Sequence, residues 1–276
     1  MPTRTRGAYE ADRAALEIKA QAGFRHLRIA GRDVRDYDPA LGPGLGCLAV
    51  LKDHGFVADP GGYVAALARA FEAEGGRLHR TEVDALRIED GAVSGVMAGG
   101  EALSADRVLV TAGVGARALL AGLGLTLPLE SERGYHYQLA SGDGGPRQPL
   151  MVAEGAFVAT PMAAGTRLAG VLEFGGTEAG PSEAPFALIR KQGARAFPGL
   201  DWQGATRWMG HRPGLPDSLP LLGEVGPKGL WAGVGHHHVG LTAGPKTGRL
   251  LAEAMLDRRP NIDLAPYGAA RFGLTR

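Results

Sequence analysis

The sequence predicts a mixed α/β fold, of the α+β kind, with two unlike portions interleaved along the chain. Three observations predict it. Between about Leu48 and Gly124, apolar runs of strand length alternate with a capped amphipathic helix. From Leu127 to Trp208 the pattern changes to short strands separated by Gly/Pro turns, which suggests an antiparallel sheet. From Leu230 onward a strand of small and apolar residues, a Gly/His loop and a long helix follow one another.

In chain order, Tyr9 to Ala22 reads as a helix with a weak apolar stripe at Ala14, Leu16, Ile18 and Ala20. Asp33 to Pro43 is turn-rich, with Pro39 and Pro43 as breakers. Gly42 to Gly46 has the glycines of a phosphate loop, but no helical pattern follows it, so it reads as a turn. Leu48 to Leu51 is strand-like. Asp59 then caps a helix that has Pro60 at its first position and a face of Tyr63, Leu67, Ala70 and Phe71. Gly75-Gly76 ends it. Asp90-Gly91 marks a two-residue hairpin among the next strands, and Arg107 to Thr111 is a buried strand before a short helix, Ala116 to Leu120. Tyr135 to Gln138, Ala156 to Thr160, Thr166 to Gly170 and Val171 to Phe174 are the antiparallel candidates, followed by a helix over Ala184 to Ala196. Trp208 and Met209 end a short apolar run. Pro213, Gly214 and Pro216 predict a turn directly after Arg212. Leu219 to Gly223 and Leu230 to Val234 are strands, Gly235 to Gly240 a loop, and Thr242 to Leu256 a helix with Leu250, Leu251, Ala254 and Met255 on its apolar face.

Composition narrows the function classes. In 276 residues, 45% apolar and 21% charged is ordinary for a globular chain, and 44 glycines suit many tight turns and close backbone approaches. A net charge of +1 gives no basic field for nucleic acid. Cys47 is the single cysteine, which rules out an internal disulfide and fits a reducing cytoplasm. No signal peptide is evident and no apolar run approaches about 18 residues. Attachment to the periphery of a membrane through a partner stays open.

The residues that carry chemistry gather near the end. A helix with a glycine-rich first turn directs free backbone N–H groups outward and makes a seat for an anion or an electron-rich ring edge. Close to it in sequence, Arg212 offers the planar two-toothed donor that fixes a carboxylate. Gly113 to Ala118 matches G-x-G-x-x-A after a strand, but no clean strand ending in an acid comes about twenty residues on, Glu130 and Glu132 being the nearest acids, and it reads first as a turn beside a cofactor. His236, His237 and His238 are consecutive and do not converge on a metal ion. Glu132-Arg133 reads first as a solvated surface pair, ahead of an ion pair guarding the site. Strand alternation puts Tyr135 on one face and His136 on the other, and either face can form a substrate wall.

WMGHRPGLPDSLPLLG followed by GHHHVGLTAGPKTGRLLAE resembles the C-terminal part of the FAD-dependent amine and amino-acid oxidoreductases, the D-amino-acid oxidase and glycine oxidase group, and most of all the bacterial D-amino-acid dehydrogenases. FVADPGGYVAALARAFEAEGG, ADRVLVTAG, PLESERGYHYQL, FVATPM and RLAGVLEFGG agree with it in order, so the resemblance runs from about Tyr37 to Leu256. Members of that family open on a strand, a Gly-rich G-x-G-x-x-G turn and a helix. This chain opens MPTRTRGAYEADRAALEIKAQAGF, so the expectation is that the pyrophosphate-binding βαβ unit is missing.

The resemblance implies FAD as cofactor and an incomplete Rossmann-like FAD-binding domain over residues 48–126 and 214–260. It implies an antiparallel-sheet substrate domain over 1–47 and 127–213, with 261–276 as a tail. It implies hydride transfer from the substrate Cα to flavin, giving an imine that water hydrolyses to a 2-oxo acid and ammonia. Arg212 would then hold the substrate carboxylate, with Tyr135 and His136 as further substrate contacts. Val83 resembles the position that brackets the adenine, and Thr111, Ala112 and Gly113 the turn beside the ribose and diphosphate. Gly235, His236, His238, Gly240, Leu241 and Thr242 would lie against the flavin ring, and no residue is assigned to a metal. Three readings follow: a D-amino-acid dehydrogenase needing a partner chain for the missing unit, a truncated non-catalytic subunit without FAD, and an NAD-binding protein using Gly113 to Ala118. An open sheet edge adds the expectation of a partner chain or self-association there.

Overall fold

The computed structural model describes residues 2–3, 6–140 and 144–274, with side chains from residue 9 onward. The parts of the expected domains at 1, 4–5, 141–143 and 275–276 lie outside the described residues. The chain opens with β1 (Pro2–Thr3), α1 (Arg6–Ala11), α2 (Arg13–Gln21), β2 (His26–Ala30), α3 (Asp33–Tyr37), β3 (Cys47–Leu51) and α4 (Pro60–Ala73). Next come β4 (Val83–Glu89), β5 (Ala92–Ala98), β6 (Glu101–Ser104), β7 (Val108–Val110) and α5 (Ala116–Ala121). The antiparallel part supplies β8 (Glu130–Gln138), β9 (Leu150–Val152), β10 (Phe157–Met162), β11 (Gly165–Phe174), α6 (Glu183–Ala196) and β12 (Thr206–Gly214). The last elements are β13 (Leu221–Glu224), β14 (Leu230–Val234) and α7 (Gly240–Met255).

The chain divides into two compact units. One comprises Met1–Ala70, Gly134–Glu173 and Gly180–Gly210; the other comprises Phe71–Arg133, Phe174–Ala179 and His211–Arg276. The boundaries therefore differ from the expected ones. Residues 48–70 fall in the first unit, because β3 pairs with β1 and β2 in an antiparallel sheet of order β1-β3-β2. The C-terminal segment belongs to the second unit, where Leu274 and Ala269 are buried in the core.

The core of the first unit is built from Tyr135, Phe157, Leu168, Phe186, Ile189 and Phe197, with Val34 and Leu41 beside them. Its main sheet has the order β12-β8-β11-β10-β9, so β12 is an edge strand. Glu130 to Arg133 of β8 and His211 to Gly214 of β12 are counted with the second unit. Two expectations are corrected here. Thr166–Gly170 and Val171–Phe174 are one strand, β11, because Gly170 at φ 145° continues the chain where a Cβ would lie 2.7 Å from the Ala156 carbonyl. The turn expected directly after Arg212 comes later, at Pro216 and Asp217, because the backbone is extended as far as Gly214. An edge strand tolerates Pro213, since its missing N–H is not needed in the ladder.

In the N-terminal region, the single helix expected over Tyr9–Ala22 is two, β2 forms where no element was expected, and α3 forms where only turns were expected. Around α4 the cap is as expected, with the Gly62 N–H donating to Asp59 Oδ1 at 2.9 Å. Its apolar face is not covered, however: α4 has no buried residue, and Leu67 and Phe71 are each 52% exposed.

The second unit is α/β. β14 lies between β13, antiparallel, and β7, parallel, with Leu230, Trp231 and Ala232 opposite Val108, Leu109 and Val110. β4, β5 and β6 form an antiparallel meander whose first turn has Asp90 at φ 49° and Gly91 at φ 76°, the two positive angles that a tight hairpin requires. The core here is Leu120, Leu127, Leu221, Leu230, Ala232 and Val234. No helix among the described residues is long and apolar enough to cross a membrane.

Candidate active site

In open sheets with parallel strands, ligands bind beyond the carboxyl ends of those strands. The parallel register of β7 and β14 brings Thr111-Ala112-Gly113 and Gly235-His236 to the same end of the pair. A cleft of about 720 Å³ on the β7 side is lined by Glu82, Val83, Leu86, Thr111, Ala112 and Ala118, among others. Val83, Thr111 and Ala112 thus face one cavity, of a size that ordinary ligands fill. Gly113 starts a 3-10 turn at φ 56°, and the α5 that follows has only six residues. That differs from the long helix which a dinucleotide fingerprint sets on its phosphates. A second cavity, of about 660 Å³, lies in the first unit beside Arg35, Asp38 and Arg147 and includes none of the expected site residues.

Past β14, the chain bends at Gly235, which is buried at φ 86°; a Cβ there would come within 2.4 Å of Leu215. α7 begins at Gly240, two residues before the expected start, so Gly240, Leu241 and Thr242 form its first turn and their N–H groups have no acceptor inside the helix. The three histidines take separate roles. His236 Nε2 lies 3.0 Å from Thr247 Oγ1, and its burial pulls its pKa below the usual imidazole range, with His237 adding to the effect. His238 is exposed. His237 has φ 48°, in the left-handed region that non-glycine residues seldom occupy.

His237 connects this bend to β12. Its N–H donates to the Pro213 carbonyl at 3.0 Å, and its Nε2 accepts from the Leu215 N–H at 3.0 Å. Its Nδ1 lies 3.0 Å from Glu132 Oε1, and both side chains are mostly buried. Arg212 precedes Pro213 directly and is half-buried. Burial draws its pKa down and the charge of Glu132 opposes that, while a guanidinium remains a cation at any ordinary pH. Among the described residues, no group hydrogen-bonds its guanidinium. Beside it, His211 Nδ1 lies 2.7 Å from the hydroxyl of buried Ser131.

The pair read as Glu132-Arg133 is corrected. Neighbours on a strand point to opposite sides. Glu132 meets His237, and Arg133, 2% exposed, donates to the carbonyls of Gly175 at 2.6 Å, Gly176 at 3.0 Å and Ala179 at 2.8 Å. In the first unit, Tyr135 lies fully inside the core; its hydroxyl donates to Glu173 at 2.5 Å and accepts from the Ser182 N–H at 3.1 Å. His136 stacks on Trp208, with ring centroids 4.8 Å apart. Sequence reasoning missed Glu132 and His237 as a pair. The only local trace was a histidine between two others, and no spacing rule joins residues 105 apart.

The chain matches the family described as FAD dependent oxidoreductase over residues 3–254. It is 33% identical over 273 residues to a D-amino-acid oxidase of Bradyrhizobium diazoefficiens, covering 97% of this chain and 65% of that protein. It is 34% identical over 221 residues to D-amino acid dehydrogenase 2 of Pseudomonas aeruginosa, covering 77% of this chain and 53% of the other. Among solved structures, glycine oxidase from Geobacillus kaustophilus superposes with a TM-score of 0.85 at 24% identity, over 100% of this chain and 73% of that one. The chain therefore spans between about half and two thirds of the length of these curated relatives. Its fold is that of glycine oxidase, and by sequence it belongs to the family of FAD-dependent oxidoreductases.

Proposed function

We propose that this chain oxidises D-amino acids at the Cα–N bond, yielding a 2-oxo acid and ammonia through an imine, with Arg212 as the carboxylate anchor. The observation that carries the reading is a half-buried guanidinium with no hydrogen-bond partner among the described residues, on a strand hydrogen-bonded to the bend before α7. An unpaired cation in such a place is costly unless a ligand completes it, and a carboxylate is the group that a planar fork fits.

The donor set suits FAD at both ends. The cleft beside Val83, Thr111 and Ala112 offers apolar walls for a nucleotide base, and the first-turn amides of Gly240, Leu241 and Thr242 offer hydrogen bonds to an electron-rich ring edge. When bound, FAD supplies the two-electron acceptor for the hydride leaving Cα. The chain itself orients the substrate. Arg212 fixes the carboxylate, and His236 is held neutral by burial so that it adds no positive charge.

The reading extends to association. β7 is an edge strand among the described residues and α4 exposes an apolar face, so a partner chain or a second copy is expected to cover them. The test is a flavin titration of the purified chain, alone and after co-purification with bound proteins. A D-amino-acid panel with an artificial electron acceptor then follows. Flavin uptake and turnover support the reading. A colourless, inactive chain under every condition supports the non-catalytic alternative.

A further inference from the structure

The arrangement around His237 assigns it a role that none of the sequence features suggested. The Leu215 N–H donates to Nε2, so that nitrogen carries a lone pair and the ring proton sits on Nδ1, directed at Glu132 Oε1. Glu132 is thus engaged by a neutral imidazole. The space beside it is set by Gly214, where a Cβ would come within 2.9 Å of the Glu132 carboxylate. Arg212 feels the negative charge of Glu132 but makes no hydrogen bond with it.

We propose that His237 is a positioning residue that keeps Glu132 off the donor fork of Arg212. An arginine whose charge a nearby carboxylate offsets can close with it into a two-toothed pair. Such a pair would fill the donors that a substrate carboxylate needs. With one oxygen of Glu132 tied to Nδ1, the carboxylate offsets the buried charge of Arg212 from a distance and leaves the fork open. The backbone bears strain for this: His237 keeps a left-handed φ of 48°, a conformation that persists only where its surroundings over-determine it. Its three hydrogen bonds, to Pro213, Leu215 and Glu132, do so.

The inference rests on the proposed function, and its test separates the two. His237→Gly removes the imidazole and accepts the positive φ without strain. In that variant Glu132 is released onto Arg212, so KM for the best D-amino acid should rise about tenfold, the size of one charge-assisted hydrogen bond, while kcat holds within about threefold. Adding Glu132→Gln removes the competitor, and KM should return toward the wild-type value. A residue with a purely structural role would not be rescued by a second change. A second readout needs no turnover. In NMR of the purified chain, the Arg212 Nε–H resonance should shift in His237→Gly and revert in the double variant, and the wild-type His237 ring should carry its proton on Nδ1. A raised KM that Glu132→Gln fails to restore overturns the proposal, and so does an Arg212 resonance unmoved by His237→Gly. If the wild-type chain turns over no amino acid, the functional reading fails by itself. The Arg212 resonance then still decides whether His237 holds Glu132 away.

Discussion

At the scale of single residues, the proposed chemistry depends on groups whose surroundings fix their state. Arg212→Lys keeps the charge but loses the planar fork, so kcat/KM toward D-amino acids should fall by about a hundredfold, measured with an artificial acceptor. His236 makes a pH prediction. Its folded pKa lies below the usual 6.5, so below that value the unfolded chain binds more protons than the folded one. The contribution to stability is therefore full above about pH 6.5 and is lost as pH falls through the folded value. His236→Gln should flatten that part of the curve of unfolding free energy against pH, followed by urea titration at each pH. Arg212 stood out in the sequence as a planar donor among prolines and glycines, although Pro213 and Gly214 continue β12 instead of turning the chain after it. Glu132 and His237 were not legible. Their meeting depends on where β8 and the bend after β14 lie in space, and chain distance carries no trace of that.

The elements show where local patterns were sufficient and where the sheet overruled them. β14, α4 with its Asp59 cap, the Asp90-Gly91 hairpin and α6 fall where periodicity, capping and turn chemistry put them. β11 and β12 did not, because pairing across the sheet carried the backbone through Gly170 and Pro213, residues that usually interrupt a strand. Glycine at the bend is required in a checkable way. Gly235→Ala adds a methyl within 2.4 Å of Leu215 at φ 86°, and should destabilise the fold by about 1–3 kcal/mol in urea unfolding. Gly210→Ala acts differently, because the added Cβ would overlap the Trp208 indole. The ring must swing off the strand, and a shift in tryptophan emission would report it.

For the molecule as a whole, the fold class and the family were legible from ordered sequence blocks, while the exposure of α4 was not. Its apolar face has the spacing of a core helix, and only the described structure leaves Val64, Leu67 and Phe71 more than half exposed. The purified chain should therefore show a mass above that of a monomer in light scattering after size exclusion, and Leu67→Glu with Phe71→Glu should lower it. A monodisperse wild-type monomer would remove the association from the account. The central claim is tested most directly by adding a D-amino acid, without oxygen, to the chain loaded with FAD and following flavin absorbance. The account predicts that the yellow colour bleaches with wild-type protein and persists with Arg212→Met at the same concentrations. Equal bleaching by both proteins would contradict it.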